Sequence, residues 1–195
     1  MSPNPYAPPQ SDVKDAQGEH GDARNKPLYF PVSFSKFILM NLGTFGLYRI
    51  YWFYENWRLI KERERVDIVP LARAIFQIFF AYSLFKHIRN ETERRDLAPS
   101  LSAGLVFCLW IPFILVSQVP GPFSLLTIAA VFIFLPVQNW ANKVNAHAAP
   151  DHDRNSRIVG WNWTAVLIGI PVLVVGAIGL FMEDVSAYKT ELLIK

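Results

Sequence analysis

The stretch LSAGLVFCLWIPFILVSQVPGPFSLLTIAAVFIFLPVQ, residues Leu101–Gln138, contains no charged residue in 38 positions. A second uncharged stretch, Val159–Met182, is 24 residues long. Apolar helices in soluble proteins rarely exceed about 14 residues, whereas a helix that crosses a bilayer needs about 20. The two stretches therefore predict an all-α, multi-pass transmembrane protein and exclude an ordinary soluble globule.

A short uncharged turn divides the longer stretch into two apolar segments. Val119-Pro120-Gly121-Pro122 is rich in proline and glycine, which end helices and favour turns. We therefore expect a transmembrane helical hairpin here and a last span in the second stretch. That last span carries Ala165 and Gly169 four positions apart, and Gly176 and Gly179 further on. Such small residues more often indicate close helix packing than a ligand site.

The amino-terminal residues 1–28 differ in composition from the rest of the chain. They are polar and proline-rich, they lack the apolar core of a signal peptide, and they cannot bury enough surface to offset the entropy lost on ordering. We expect a disordered tail followed by a single helical membrane domain over residues 29–195. This domain has four to five apolar helical segments, near residues 37–57, 71–89, 101–119, 123–138 and 159–182.

Overall composition agrees with a membrane protein. Of the 195 residues, 52% are hydrophobic and 18% are charged, against a charged share of about 25% in soluble proteins. The net charge of +3 is explained by basic residues in short loops, so nucleic-acid binding is not expected. The single cysteine, Cys108, excludes an intrachain disulfide and a cysteine zinc site.

The two apolar segments of the amino-terminal half leave alternatives open. Residues 37–57 have the length of a span, but Arg49 lies near the centre and Gly43–Gly46 can bend a helix. The segment is either a span with an aromatic interfacial end or a bent element that partly enters the bilayer. Residues 71–89 either cross the membrane or lie in its interface as an amphipathic helix.

Basic residues predict the orientation of the carboxy-terminal half. They occur before the hairpin at Lys86, Arg89, Arg94 and Arg95 and after it at Lys143, Arg154 and Arg157, whereas the hairpin turn has none. Both ends of the hairpin should therefore be cytoplasmic. The charged linker 58–70 also prefers the inside, which is possible only if residues 71–85 do not cross.

One motif resembles a known family. Thr44-Phe45-Gly46-Leu47-Tyr48, followed by Tyr51-Trp52-Phe53-Tyr54, resembles an uncharacterised bacterial multi-pass membrane domain of unknown function. The likeness covers about residues 34–61, and a weaker likeness extends to the segment 71–89. It implies a small bacterial inner (cytoplasmic) membrane protein with several helices, and it implies no activity.

Candidate sites for chemistry are few. His147, Asp151 and His152 are possible ligands for a metal, but their spacing matches no zinc motif and Pro150 interrupts any helix that would align them. A solvated loop is the favoured interpretation, so we predict no metal site. No serine nucleophile motif and no glycine-rich phosphate loop occurs. We therefore expect no enzymatic activity and no cofactor.

Polar and aromatic residues next to the apolar segments are the candidates for interaction. Arg49 needs a partner at membrane depth, either a lipid phosphate or the amides at the rim of the apolar segments, unless it reaches the headgroups from a bent helix. Asn139, Asn142 and Asn145 recur every three residues along one helix face. They predict hydrogen bonds between helices, a lipid-headgroup contact or the lining of a gate. The complete set of interaction candidates is Arg49, Trp52, Trp57, Asn139, Trp140 and Asn142.

The expected function is that of a non-enzymatic interaction or accessory module in the bacterial inner membrane. Its partners would be the lipid bilayer and a membrane protein or a second copy of the chain, without nucleic acid. The alternatives are a small transporter or channel subunit and a lipid-handling protein. A metal-dependent membrane enzyme is the least favoured alternative.

Overall fold

The computed structural model describes residues 26–97, 99, 101–117, 119 and 125–194. This part of the chain forms seven helices and no strand, which confirms the all-α prediction. The helices are α1 (Phe34–Gly43), α2 (Leu47–Glu64), α3 (Pro70–Ile75), α4 (Gln77–Arg94), α5 (Ala103–Val116), α6 (Leu126–Ala148) and α7 (Trp161–Ile194). Of the predicted disordered tail, residues 1–25 lie outside the described residues.

Helix length supports one of the three expected spans among the described residues, so the multi-pass arrangement stays a prediction. Among the described residues, only α7 is long and apolar enough to cross a membrane, through its window Asn162–Gly179. Helix α5 is apolar but has 14 residues, which gives about 21 Å against a bilayer core of about 30 Å. The described helices and the apolar runs differ in extent, because the first helix of the expected hairpin covers Ala103–Val116 and α6 continues into the polar residues Asn139–Ala148.

The predicted segment 37–57 is two helices. Helix α1 ends in a Schellman motif, in which the Gly46 N–H donates to the Asn41 carbonyl at 2.7 Å. Phe45 and Gly46 both have positive φ angles, 52° and 85°. Thr44 joins the two helices, because its Oγ1 accepts a hydrogen bond from the Tyr48 N–H at 2.9 Å. The threonine and glycine of this motif therefore form a turn between two helices.

The predicted segment 71–89 is also interrupted, at Phe76 between α3 and α4. Both ends of this segment lie beside the end of α2. Lys61 donates to the Ile68 carbonyl at 2.8 Å, and the His87 ring lies 2.9 Å from the Glu64 carboxylate. A membrane crossing would separate the two ends by about 30 Å. The chain instead leaves the end of α2 near Ile68 and is back beside it at His87.

The carboxy-terminal turns of α2, α4 and α6 meet around residues 26–32, and we call this region the polar end. Arg63 of α2 donates to the Leu28 carbonyl, and Arg89 of α4 donates to the Leu101 carbonyl just before α5. Arg95, the residue that follows α4, contacts His147 of α6. Helices α1 and α5 therefore begin at this end, and α2, α4 and α6 finish there.

Aromatic side chains fill the core between these helices. The Phe134 ring of α6 stacks on Phe37 at 5.4 Å and meets Trp52 and Phe85 edge to face at 4.8 and 5.2 Å. Phe53 and Trp110 complete this aromatic cluster. Such pairs stabilise a core beyond the area that they bury. The cluster joins α1, α2, α4, α5 and α6 into one unit.

Helix α7 packs on this unit through its first turns. A Cβ atom at Gly43 would lie 2.8 Å from the Ala165 carbonyl oxygen, so the backbones of α1 and α7 are in direct contact. Ala165 and Gly169 therefore form a packing surface. Further along α7, a Cβ atom at Gly176 or Gly179 would meet nothing within 4 Å in the described part of the chain.

Candidate functional site

Side-chain amides hold an extended segment, Tyr29–Val32, inside the polar end. Asn145 binds both backbone groups of Tyr29: its Oδ1 accepts from the N–H at 3.0 Å and its Nδ2 donates to the carbonyl at 2.8 Å. Asn56 Oδ1 accepts from the Phe30 N–H at 3.1 Å. An extended segment has no hydrogen bonds of its own, so buried backbone groups need such partners.

Three further amides complete this set, which we call the amide cluster. Asn142 and Gln138 both donate to the Val32 carbonyl, at 3.0 and 3.2 Å. Asn155 donates to the Pro31 carbonyl at 3.1 Å. The amide cluster is therefore Asn56, Gln138, Asn142, Asn145 and Asn155. The predicted polar face of α6 thus binds the backbone of Tyr29–Val32, a segment far away in the sequence. The spacing of the asparagines does not predict this partner.

Tyr29 is anchored by its side chain as well. Its hydroxyl donates to the His87 carbonyl at 3.4 Å, and the Arg63 guanidinium lies 5.2 Å from its ring centre. Burial raises the pKa of Tyr29 above its ordinary value, with a smaller opposing effect of Arg63. The phenol is therefore neutral at physiological pH and remains a hydrogen-bond donor.

The three tryptophans among the interaction candidates lie in the interior. Trp52 is fully buried and donates from Nε1 to Gln138 Oε1 at 2.5 Å. Trp57 and Trp140 are buried too, and neither indole N–H has a hydrogen-bond partner among the described residues. The side chain of Arg73 covers the Trp57 ring at 4.4 Å. In this structure the three indoles contribute to packing and present little surface to a partner.

Arg49, the predicted charge at membrane depth, is buried with 9% of its surface exposed. Its Nε donates to Gln77 Oε1 of α4 at 2.9 Å, and its guanidinium carbon lies 5.4 Å from the ring centre of Trp110. No carboxylate of the described residues forms an ion pair with it. Its partners are the amide of Gln77 and the indole of Trp110, and the positions of these residues in the sequence do not predict the contacts.

A cavity of about 530 Å³ lies at the polar end beside the amide cluster, and we call it the polar-end cavity. Two of the predicted interaction residues, Asn139 and Asn142, line it. The complete lining is Val32, Ser33, Phe34, Asn139, Asn142, Lys143, Ala146, His152, Arg154 and Ser156. The wall thus combines cationic, amide, hydroxyl and apolar groups, and none of the described residues that form it carries a carboxylate.

The two cations of this cavity lack the acidic partners that several arginines of α2 and α4 have. Several arginines of α2 and α4 form ion pairs within their helices, as in Arg58–Glu55, Arg89–Glu93 and Arg94–Glu91. Lys143 and Arg154 are exposed and form no ion pair with any residue that the structure describes. Among the described residues, no carboxylate therefore neutralises their positive charge.

The loop between α6 and α7 is fixed on α1 next to this cavity. Lys36 Nζ donates to Asn155 Oδ1 at 2.7 Å and to the Arg157 carbonyl at 2.9 Å. Burial lowers the pKa of Lys36, and the nearby Asp153 partly opposes this effect. The His152 ring bonds the Ala149 carbonyl through Nδ1 at 2.5 Å, which makes Nδ1 the donor.

The possible metal ligands of this loop do not form a cluster. His147 Nδ1 accepts from Arg95 at 3.3 Å, whereas His152 is turned to the Ala149 carbonyl and Asp151 is exposed. No group of three histidine, cysteine or acidic side chains that could hold a metal occurs within the described residues.

Comparison with family models, with curated proteins and with solved structures gave no match to this chain.

Proposed function

We propose that the protein is a multi-pass protein of the bacterial inner membrane that acts as a non-enzymatic interaction or accessory module. The observation that carries this proposal is α7, whose apolar window is only 11% buried within the protein. Exposed apolar surface of this extent is unfavourable in water and favourable in lipid. The bacterial location rests on the resemblance of the element at residues 44–54.

The arrangement of the helices supports one orientation. The linker 58–70 and the loop before α7 both lie at the polar end, together with most of the basic residues. Placing the polar end in the cytoplasm therefore satisfies the positive-inside preference for the linker, for the segment before α5 and for the loop before α7. The α5–α6 hairpin then enters the bilayer from the cytoplasmic side, and α7 crosses to the outside. Segment 71–89 returns to the polar end and does not cross.

One side of α7 carries the small residues Ala165, Gly169 and Gly176, and this face supports the interaction role. Gly169 contacts Gly43, the last residue of α1, so α1 covers only the beginning of this face. Gly176 lies seven residues beyond Gly169, on nearly the same side of the helix, and Val175 beside it is 69% exposed. We infer that an apolar membrane helix of a partner packs here as α1 packs on Gly169.

Photo-crosslinking in intact membranes tests this proposal. A photoreactive residue in place of Val175 should crosslink to a membrane protein or to a second copy, and Gly176→Leu should abolish the product by preventing close approach. The matched position is Val166, which is buried on the same helix and should give only crosslinks within the chain. The proposal fails if Val175 crosslinks only to lipid and the protein purifies in mild detergent as a partner-free monomer.

A further inference from the structure

We propose that the polar-end cavity binds the phosphate group of an anionic ligand, at the level where phospholipid headgroups lie. Lys143 on α6 and Arg154 in the following loop supply two cations to its wall. Asn139 and Ser156 add hydrogen-bond donors. Lysine, arginine, amide and hydroxyl donors are the groups that recognise phosphate oxygens.

The charges around the cavity favour an anion. No carboxylate of the described residues lines it, and the described acidic residues nearby in the sequence are engaged or face solvent. Asp153 accepts from the Asn155 N–H at 2.8 Å and belongs to the wall of a neighbouring cavity, and Asp151 is exposed. Lys143 and Arg154 therefore have no acidic partner among the described residues, and an external anion would supply one.

The position of the cavity favours a headgroup as the source of the phosphate. Arg154 and Ser156 precede the apolar window of α7, which begins at Asn162. Lys143 lies less than two turns after the apolar part of α6 ends at Val137. If α7 crosses the bilayer, the cavity lies where apolar helix surface gives way to polar surface. Its apolar lining, with Val32 and Phe34, then suits the start of the acyl chains.

The claim that the phosphate belongs to a lipid headgroup rests on the proposed membrane insertion. The claim that the cavity binds a phosphate group does not. The test therefore uses the full chain in a neutral detergent. The probes are short-chain phosphatidylglycerol, short-chain phosphatidylcholine and inorganic phosphate, and binding is measured by native mass spectrometry and calorimetry. This measurement is independent of whether α7 crosses a membrane or meets a partner.

We expect phosphatidylglycerol to bind more tightly than phosphatidylcholine, and Lys143→Glu to weaken its binding by roughly tenfold. Lys86→Glu is the matched control, because Lys86 is also exposed and without an ion pair in the described structure but lies outside the cavity. It should change binding less than twofold. Arg154→Glu should reproduce the effect of Lys143→Glu if the latter variant is unstable.

The outcomes separate the two sources of phosphate. Loss of phosphatidylglycerol binding in Lys143→Glu and Arg154→Glu, but not in Lys86→Glu, supports a headgroup site. Binding of inorganic phosphate without lipid, lost in the same variants, supports the phosphate site and assigns it to a soluble ligand. The proposal is overturned if both cavity variants bind as the native protein does, or if Lys86→Glu weakens binding equally.

Discussion

Gly169→Ala is expected to destabilise the protein strongly by forcing α7 away from α1. The new Cβ atom would lie 2.7 Å from Gly43 Cα and closer still to its carbonyl carbon and oxygen. All of these are backbone atoms, so no side-chain rotation relieves the overlap. Overpacking a site lowers the free energy of unfolding by about 1–3 kcal/mol. An overlap with backbone atoms should lower it by an amount at or above the upper limit of this range. The measurement is thermal unfolding of the purified protein in detergent.

Gly176→Ala is the control for this prediction. It makes the same substitution on the same helix, at a position where a Cβ atom meets nothing within 4 Å among the described residues. Alanine favours a helix over glycine by about 1 kcal/mol, so this variant should unfold at the same or a higher temperature. Equal destabilisation by both substitutions would contradict the close packing of α7 on α1.

Asn145→Ala is expected to release the extended segment from the polar end. The substitution leaves the N–H and the carbonyl of Tyr29 buried without partners. Each unsatisfied buried group costs about 1–3 kcal/mol, so the total loss is about 2–6 kcal/mol. Thermal unfolding measures this loss, and hydrogen exchange of the Tyr29 and Phe30 amides should become faster.

Asn139→Ala is the matched control on α6. Asn139 is half-buried, lines the polar-end cavity and makes no side-chain hydrogen bond within the described structure. Its substitution should leave both the stability and the exchange of the Tyr29 amide nearly unchanged. If Asn139→Ala and Asn145→Ala had the same effect, the amide cluster would not be what holds the segment.

Helical content and some surfaces could be predicted from the sequence because they depend on local patterns. The polar continuation of α6 follows from its amphipathic sequence, and Ala165 and Gly169 have the spacing of a packing surface. The partner of Asn145 could not be predicted, because Tyr29 is 116 positions away. Contacts over such distances depend on the tertiary fold and leave no periodic signal in either segment.

The helix breaks show a second limit of local reasoning. Gly46 signals a turn, and α1 does end three residues before it, at Gly43. By contrast, neither glycine nor proline stands next to Phe76, and yet the helix is interrupted there, between α3 and α4. A high density of aromatic residues is equally ambiguous, because it is compatible with a membrane interface and with a buried core. Trp52 and Phe53 have the composition of an interfacial belt, yet both are fully buried around Phe134. Aromatic residues suit both environments, so only packing distinguishes them.

Accessibility of Cys108 tests most directly whether the exposed apolar surface lies in lipid. Cys108 is the only cysteine of the chain, and it is exposed on the surface of α5. A charged, membrane-impermeant maleimide is applied to right-side-out and inverted membrane vesicles, and a denaturing detergent then gives the total label. The control is a Cys108→Ser, Ser156→Cys variant, whose cysteine lies in the loop at the polar end.

We expect Cys108 to remain unlabelled from either side and to react fully after denaturation. The cysteine at position 156 should react only in inverted vesicles. Rapid labelling of Cys108 from an aqueous side, at the rate of the loop cysteine, would contradict the placement of α5 in the bilayer and with it the proposed membrane module.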